Sequence, residues 1–300
     1  MQPILTSASS GTRIAILFLF LLTGLILSAG MIAWIGLFSG PGEGGRLTMI
    51  YAGTAVQSIF VLAAPATLLA LLTDKRPAHY LKLAGNKMMA GQIVLVWMVY
   101  LFSYPLASFL SQLNKQMVLP ESFHEIEAAM RSMEDAAMET TELLLSVDTA
   151  GGLLLNLLVV ALLAAVTEEL FFRGALQQLL RNWFGSGHGS VWASAGIFSL
   201  VHFQFYGFLP RMLLGALLGY LFLYTANLWI PILFHFINNA TVILFHYFWG
   251  DARWFNSLDD QPLTLSFLAA ALAGALFTFL LFRFYRRRSP LPAQQAHKFL

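Results

Sequence analysis

The sequence predicts an all-α polytopic membrane protein with about eight transmembrane helices. Three observations lead there. Of 300 residues, 58% are hydrophobic and 11% are charged, whereas a soluble domain carries about 25% charged residues. Seven stretches of 19 to 39 residues contain no Asp, Glu, Lys or Arg. A helix needs roughly 20 apolar residues to cross a hydrocarbon core of about 30 Å.

The stretches give the elements in order. Arg13 to Glu43, Arg46 to Asp74 and Lys87 to Lys115 enclose 29, 27 and 27 uncharged residues, which predicts helices near 14–39, 48–73 and 88–113. The first apolar run is far longer than a signal-peptide core of about 7–15 residues, so it is read as an uncleaved helix. Pro65 and Pro105 fall inside the second and third spans and are expected to kink them. Asp148 to Glu168 and Arg181 to Arg211 predict spans near 150–172 and 188–207. Arg211 to Asp251 encloses 39 uncharged residues, enough for two helices near 211–225 and 228–249. Thr225-Ala226-Asn227 marks the turn between them, with Pro231 in a first helical turn, where its missing N–H costs nothing. Asp260 to Arg283 predicts the last span near 263–284. No internal repeat divides the chain into halves. The expected organisation is an N-terminal membrane region 1–113, a polar segment 114–149, a core of four helices 150–249, and a final helix with a basic tail, 250–300.

Residues 114–149 carry eight of the fifteen acidic residues. Ile126, Met130, Met133, Ala137 and Leu144 recur among them at helical spacing, as in an amphipathic helix lying outside the membrane. With both termini on one side, that side holds 12 basic residues and the other five, Arg46, Lys115, Arg131, Arg211 and Arg253. The positive-inside rule then places both termini in the cytoplasm of a multi-pass inner-membrane protein. The absence of cysteine excludes a disulfide scaffold, a cysteine nucleophile and cysteine-ligated zinc or iron–sulfur sites. A net charge of +2 gives no reason to expect a nucleic-acid partner.

Between Ala150 and Gly250 there are only five charges: Glu168, Glu169, Arg173, Arg181 and Arg211. Ionisable groups at membrane depth are expensive and are functional candidates by default. Glu169 and Arg173 are four residues apart and share a helix face, while Glu168 is turned about 100° away. One carboxylate is then tied to the arginine and the other points elsewhere, although an interfacial ion-pair cluster would read the same way. His202 follows Phe198 by four residues on the fifth span. His235 and Asn239, four apart on the seventh, put their side chains on one face about 6 Å apart along the axis. A lone histidine in an apolar helix is more often a packing residue. Six polar residues on three spans, however, suit a small wet cavity in which they partner one another.

Glu168-Glu169-Leu170-Phe171-Phe172-Arg173 matches EExxxR, Phe198 to His202 matches FxxxH, and His235 to Asn239 matches HxxxN, in that order. Over about 150–245 the sequence resembles the CPBP family of CAAX proteases and bacteriocin-processing enzymes (Abi proteins), which includes the type II CAAX prenyl endopeptidases. The resemblance implies an intramembrane glutamic-type peptidase that requires no metal or other cofactor. Glu168 would be the general base and His202 would hold and polarise the water. His235 and Asn239 would stabilise the oxyanion, and Glu169 and Arg173 would position the site. The implied partners are a peptide or protein substrate at the membrane, such as a C-terminal or leader segment, and the bilayer.

A catalytic zinc on Glu168, His202 and His235 is the metal alternative, without the HExxH spacing of zinc peptidases. Gly185-Ser186-Gly187 reads as a turn rather than a serine-protease elbow, and no span carries an aspartate. The non-enzymatic alternatives are an inactive scaffold or immunity protein of the same fold, or a small proton- or ion-coupled transporter.

Overall fold

The computed structural model describes residues 3–84, 88–250 and 262–288. The basic tail beyond 288, Lys87 and Arg253 lie outside the described residues. The described chain is helical, as expected, and it is a multi-pass membrane protein. Its helices are α1 (Ser10–Gly36), α2 (Glu43–Thr73), α3 (Ala90–Lys115), α4 (His124–Leu145), α5 (Ala150–Phe184), α6 (Gly187–Leu200), α7 (Phe208–Thr225), α8 (Trp229–Trp249) and α9 (Leu265–Arg288). A single helical turn, Pro77–Tyr80, lies between α2 and α3.

Seven of the described helices are long and apolar enough to cross a membrane, not eight. The exception is α6, whose 14 residues span about 21 Å, short of the hydrocarbon thickness. Its end is fixed by tertiary contacts. Beyond Val201 the chain turns at Phe203, a non-glycine residue with φ +53°. Ser199 Oγ donates to Phe208 O at 2.7 Å, which ties the end of α6 to the start of α7. Asn114, at the end of α3, accepts from Leu209 N–H at 2.7 Å and donates to Phe205 O at 2.9 Å. A helix start leaves backbone N–H groups unpaired, and Asn114 satisfies one of them.

The two ends of the bundle are marked by hydrogen bonds. At one end Leu5 N–H reaches Leu72 O, Leu228 N–H reaches Lys82 O, and Gln178 Nε2 reaches Tyr80 O. Gln92 Nε2 there donates to Tyr285 OH, close to the end of α9. At the other end Arg46 pairs with Glu139 at 2.7 Å, and Tyr206 N–H donates to Glu134. The N-terminal segment and the end of α9 therefore share a side, and α4 caps the opposite one. Most of the residues of α4 are exposed.

α5 runs on past residue 172 to Phe184, where Gly185 takes φ +66° and its N–H closes on Arg181 O. That is the left-handed cap glycine permits. Two π-helical segments interrupt α5, Leu157–Leu163 and Leu170–Gln177. A third interrupts α2 at Ser58–Ala63, ending two residues before Pro65. Pro105 is accommodated inside α3.

Lipid offers no hydrophobic drive between helices, so close packing by small residues matters more. A Cβ on Gly215 of α7 would stand 3.0 Å from Ala195 Cα and 3.3 Å from Phe198 Cδ1 of α6. At Gly24 of α1 a Cβ would fall 2.0 Å from Phe60 O in the π segment of α2. Gly24→Leu is therefore expected to lower the thermal midpoint by several degrees, from an overpacking cost of about 1–3 kcal/mol. Gly30→Leu on the same helix, where a Cβ meets nothing within 4 Å, should leave it unchanged. Thermal unfolding of the purified variants in detergent checks both.

Candidate active site

Glu168 and Glu169 end the α-helical turn between the two π segments of α5. A π segment holds an extra residue in its turn and re-aims the side chains beside it; such segments occur frequently at functional sites. Glu169 is completely buried, and so is Arg173. Arg173 Nη1 donates to Glu169 Oε1 at 2.7 Å and Nη2 donates to Gly215 O at 2.8 Å. The guanidinium lies 5.0 Å from the centre of the Phe198 ring, a cation–π distance. The fork thus joins α5, α6 and α7.

Glu169 Oε1 takes a second partner, His235 Nδ1, at 2.9 Å. A carboxylate paired with arginine is acceptor-only, so the proton of this bond belongs to Nδ1. The tautomer of His235 is thereby set, and Nε2 is the free position. It stands 3.8 Å from Glu168 Oε2, too far for a direct hydrogen bond. His235 is 3% exposed.

His202 lies just beyond the end of α6, in the turn, rather than on the body of a fifth span. Its Nδ1 is 2.6 Å from Phe198 O. A carbonyl only accepts, so Nδ1 carries the proton and a neutral His202 presents Nε2 as an acceptor. Phe198 therefore serves three neighbours. Its carbonyl orients His202, its face meets Arg173, and its ring makes edge contacts with His202 at 4.9 Å and His235 at 6.1 Å.

These groups surround a cavity of about 330 Å³ lined by Thr54, Val160, Ala164, Glu168, Phe198, His202, Arg211, Leu214, His235, Asn238 and Asn239. Glu168 Oε2 is buried there with no hydrogen-bond partner. Asn239 Nδ2 makes one long contact, 3.4 Å to Val160 O, and its Oδ1 accepts from Asn238. Of the six residues singled out in the sequence, four line the cavity. Glu169 and Arg173 lie behind it as its buried support. Glu168, His202 and His235 do not form a three-ligand metal set among the described residues.

Sequence reading missed Thr54, the π segments and the part played by Arg211, and it offered Asn238 as a helix–helix hydrogen-bonding residue. Arg211 was visible as one of only five charges between Ala150 and Gly250. Thr54 carries no local signal.

The turn bearing His202 is also held from outside. Tyr206 N–H donates to Glu134, its hydroxyl reaches Glu127, and its ring lies 4.6 Å from the Arg131 guanidinium. Arg131, hydrogen-bonded to Glu127, holds that carboxyl below the usual carboxylate range, and the Leu119 N–H adds to this.

Residues 150–241 match the profile of the family described as type II CAAX prenyl endopeptidase Rce1-like. That segment is similar to this family, and all six residues fall inside it. The chain is also similar to the uncharacterized protein YpbD of Bacillus subtilis (strain 168), with 32% identity over 89 residues. That match covers 28% of this chain and 42% of YpbD, so the chain spans about two fifths of this relative's length. No solved structure matches significantly.

Removing one partner of a buried ion pair costs about 3–5 kcal/mol. Arg173→Met and Glu169→Leu are each expected to lower the thermal midpoint strongly. Glu168→Gln, at a buried oxygen with no partner, should leave it unchanged or raise it. Thermal unfolding of the three variants separates the supporting pair from the cavity carboxylate.

Proposed function

We propose that residues 150–241 form the catalytic core of an intramembrane endopeptidase that hydrolyses a peptide bond with a glutamate-activated water. The observation that carries this reading is the unpartnered, buried Glu168 oxygen on a cavity also lined by His202, His235 and Asn239.

Donor and acceptor logic assigns the roles. Glu168 and His202 Nε2 are both acceptors, so a water between them donates one hydrogen to each. Its lone pair is then free to attack a carbonyl carbon. Glu168 takes the water proton as the C–O bond forms, and the carbonyl oxygen becomes the oxyanion. Asn239 Nδ2–H donates to that oxygen. His235 supplies a second donor to that oxygen only in its doubly protonated form, since Nδ1 is already committed to Glu169. Preorganised donors of this kind contribute about 3–4 kcal/mol each. The tetrahedral intermediate collapses as the C–N bond breaks, and Glu168 returns its proton to the leaving amine. Burial away from bulk water strengthens each interaction.

The chemistry uses the chain's own residues and asks for no metal. The substrate is a peptide or protein segment at the membrane. The basic excess on the side of the N-terminal segment supports a cytoplasmic placement of that side.

Glu168→Gln and His202→Ala are expected to lower cleavage at least about 100-fold, with folding retained. Comparing membrane-derived peptides released by the unsubstituted protein and by Glu168→Gln identifies the substrate and checks the loss. Chelator should leave activity intact. Cleavage at the original rate by both variants would contradict the assignment.

A further inference from the structure

Arg211 stands where two cavities meet. Besides the cavity containing Glu168 it lines a groove of about 280 Å³ formed with Tyr100, Tyr104, Leu213, Leu217 and Phe234. Leu214 and Asn238 are shared by both as well, so the groove adjoins the candidate catalytic space. Its walls are otherwise mainly apolar and aromatic.

The guanidinium is half-buried and stacked against Gly207, where a Cβ would come within 3.1 Å of Nη2. Its hydrogen bonds all go to Gln204, to the carbonyl and to the side-chain oxygen. Glu134 and Glu168 act on it electrostatically, yet among the described residues it forms no ion pair, in contrast to Arg173. A half-buried cation without an ion-pair partner is costly, and an arginine fork matches a carboxylate.

We propose that Arg211 anchors a carboxylate carried by the peptide substrate, and that the adjoining groove takes the apolar residues next to it. The carboxylate is supplied either by the end of the substrate chain or by an acidic side chain. Arg211 is on this view a specificity-determining residue, and the idea rests on the peptidase reading above. Glu168 carries the same charge as the anchored group and repels it, so the anion is held on the Arg211 side of the cavity and the position of the scissile bond follows.

The test uses binding to the full chain carrying Glu168→Gln, immobilised in detergent, so that its outcome is independent of turnover. Three degenerate apolar peptide libraries are applied: free acids without acidic residues, the matching C-terminal amides, and amides bearing one Glu. Mass spectrometry reads retention. At least tenfold greater retention of one carboxylate-bearing library over the plain amides is expected, and the favoured library names the source. Adding Arg211→Gln should remove that difference while plain amides bind as before, and Arg211→Lys should keep part of it. Equal retention of all three libraries, or none, would overturn the proposal. So would an Arg211→Gln loss that falls equally on acids and amides, since that is a structural effect. Failure of the peptidase reading shows separately, as no library cleaved by the unsubstituted protein.

Discussion

One buried oxygen organises the site. Glu169 Oε1 accepts from Arg173 and from His235 at once, and both bonds are closed off from water. The arginine keeps the carboxylate an acceptor, and the carboxylate decides which imidazole nitrogen holds a proton. The free nitrogen of His235 is left beside Glu168. Two adjacent glutamates in one helix thus acquire different work. Glu169 is consumed by the fold through its Oε1, whereas Glu168 makes no ion pair with Arg173 and lines the cavity.

The rest of the bundle reads as support for that arrangement. Arg173 spans from Glu169 to the Gly215 carbonyl because α7 packs closely on α6 through glycine and alanine. The π segments on either side of the glutamate pair alter the helical phase of α5. Phe198 links the arginine to His202 through its ring and its carbonyl. From the far end of the bundle, Asn114, Glu127, Glu134 and Arg131 hold the turn that follows His202.

Much of this was legible in the sequence because charge is rare in it. Long uncharged runs located the spans, and four-residue spacing paired Glu169 with Arg173. The same spacing put His235 and Asn239 on one face of α8. What was not legible depends on contacts between distant segments. The fifth span ends early because Asn114 and Phe208 hold its turn, and no local residue announces that. The π segments contain no proline, and Gly174 in the second of them does not by itself announce a π turn. Arg211 stood out as a charge, yet its lack of an ion pair is a property of the assembled helices. Thr54 looks like any threonine in a membrane helix.

The protonation pattern of the two histidines is the most direct point of decision, because both roles follow from it. Nitrogen-15 NMR of imidazole-labelled protein in lipid, assigned with His202→Ala and His235→Ala, reads it. The predicted result is a proton on Nδ1 of both rings and a bare Nε2 on His202. A neutral His202 carrying its proton on Nε2 would be a donor rather than an acceptor toward the water, and would contradict the water-activating pair.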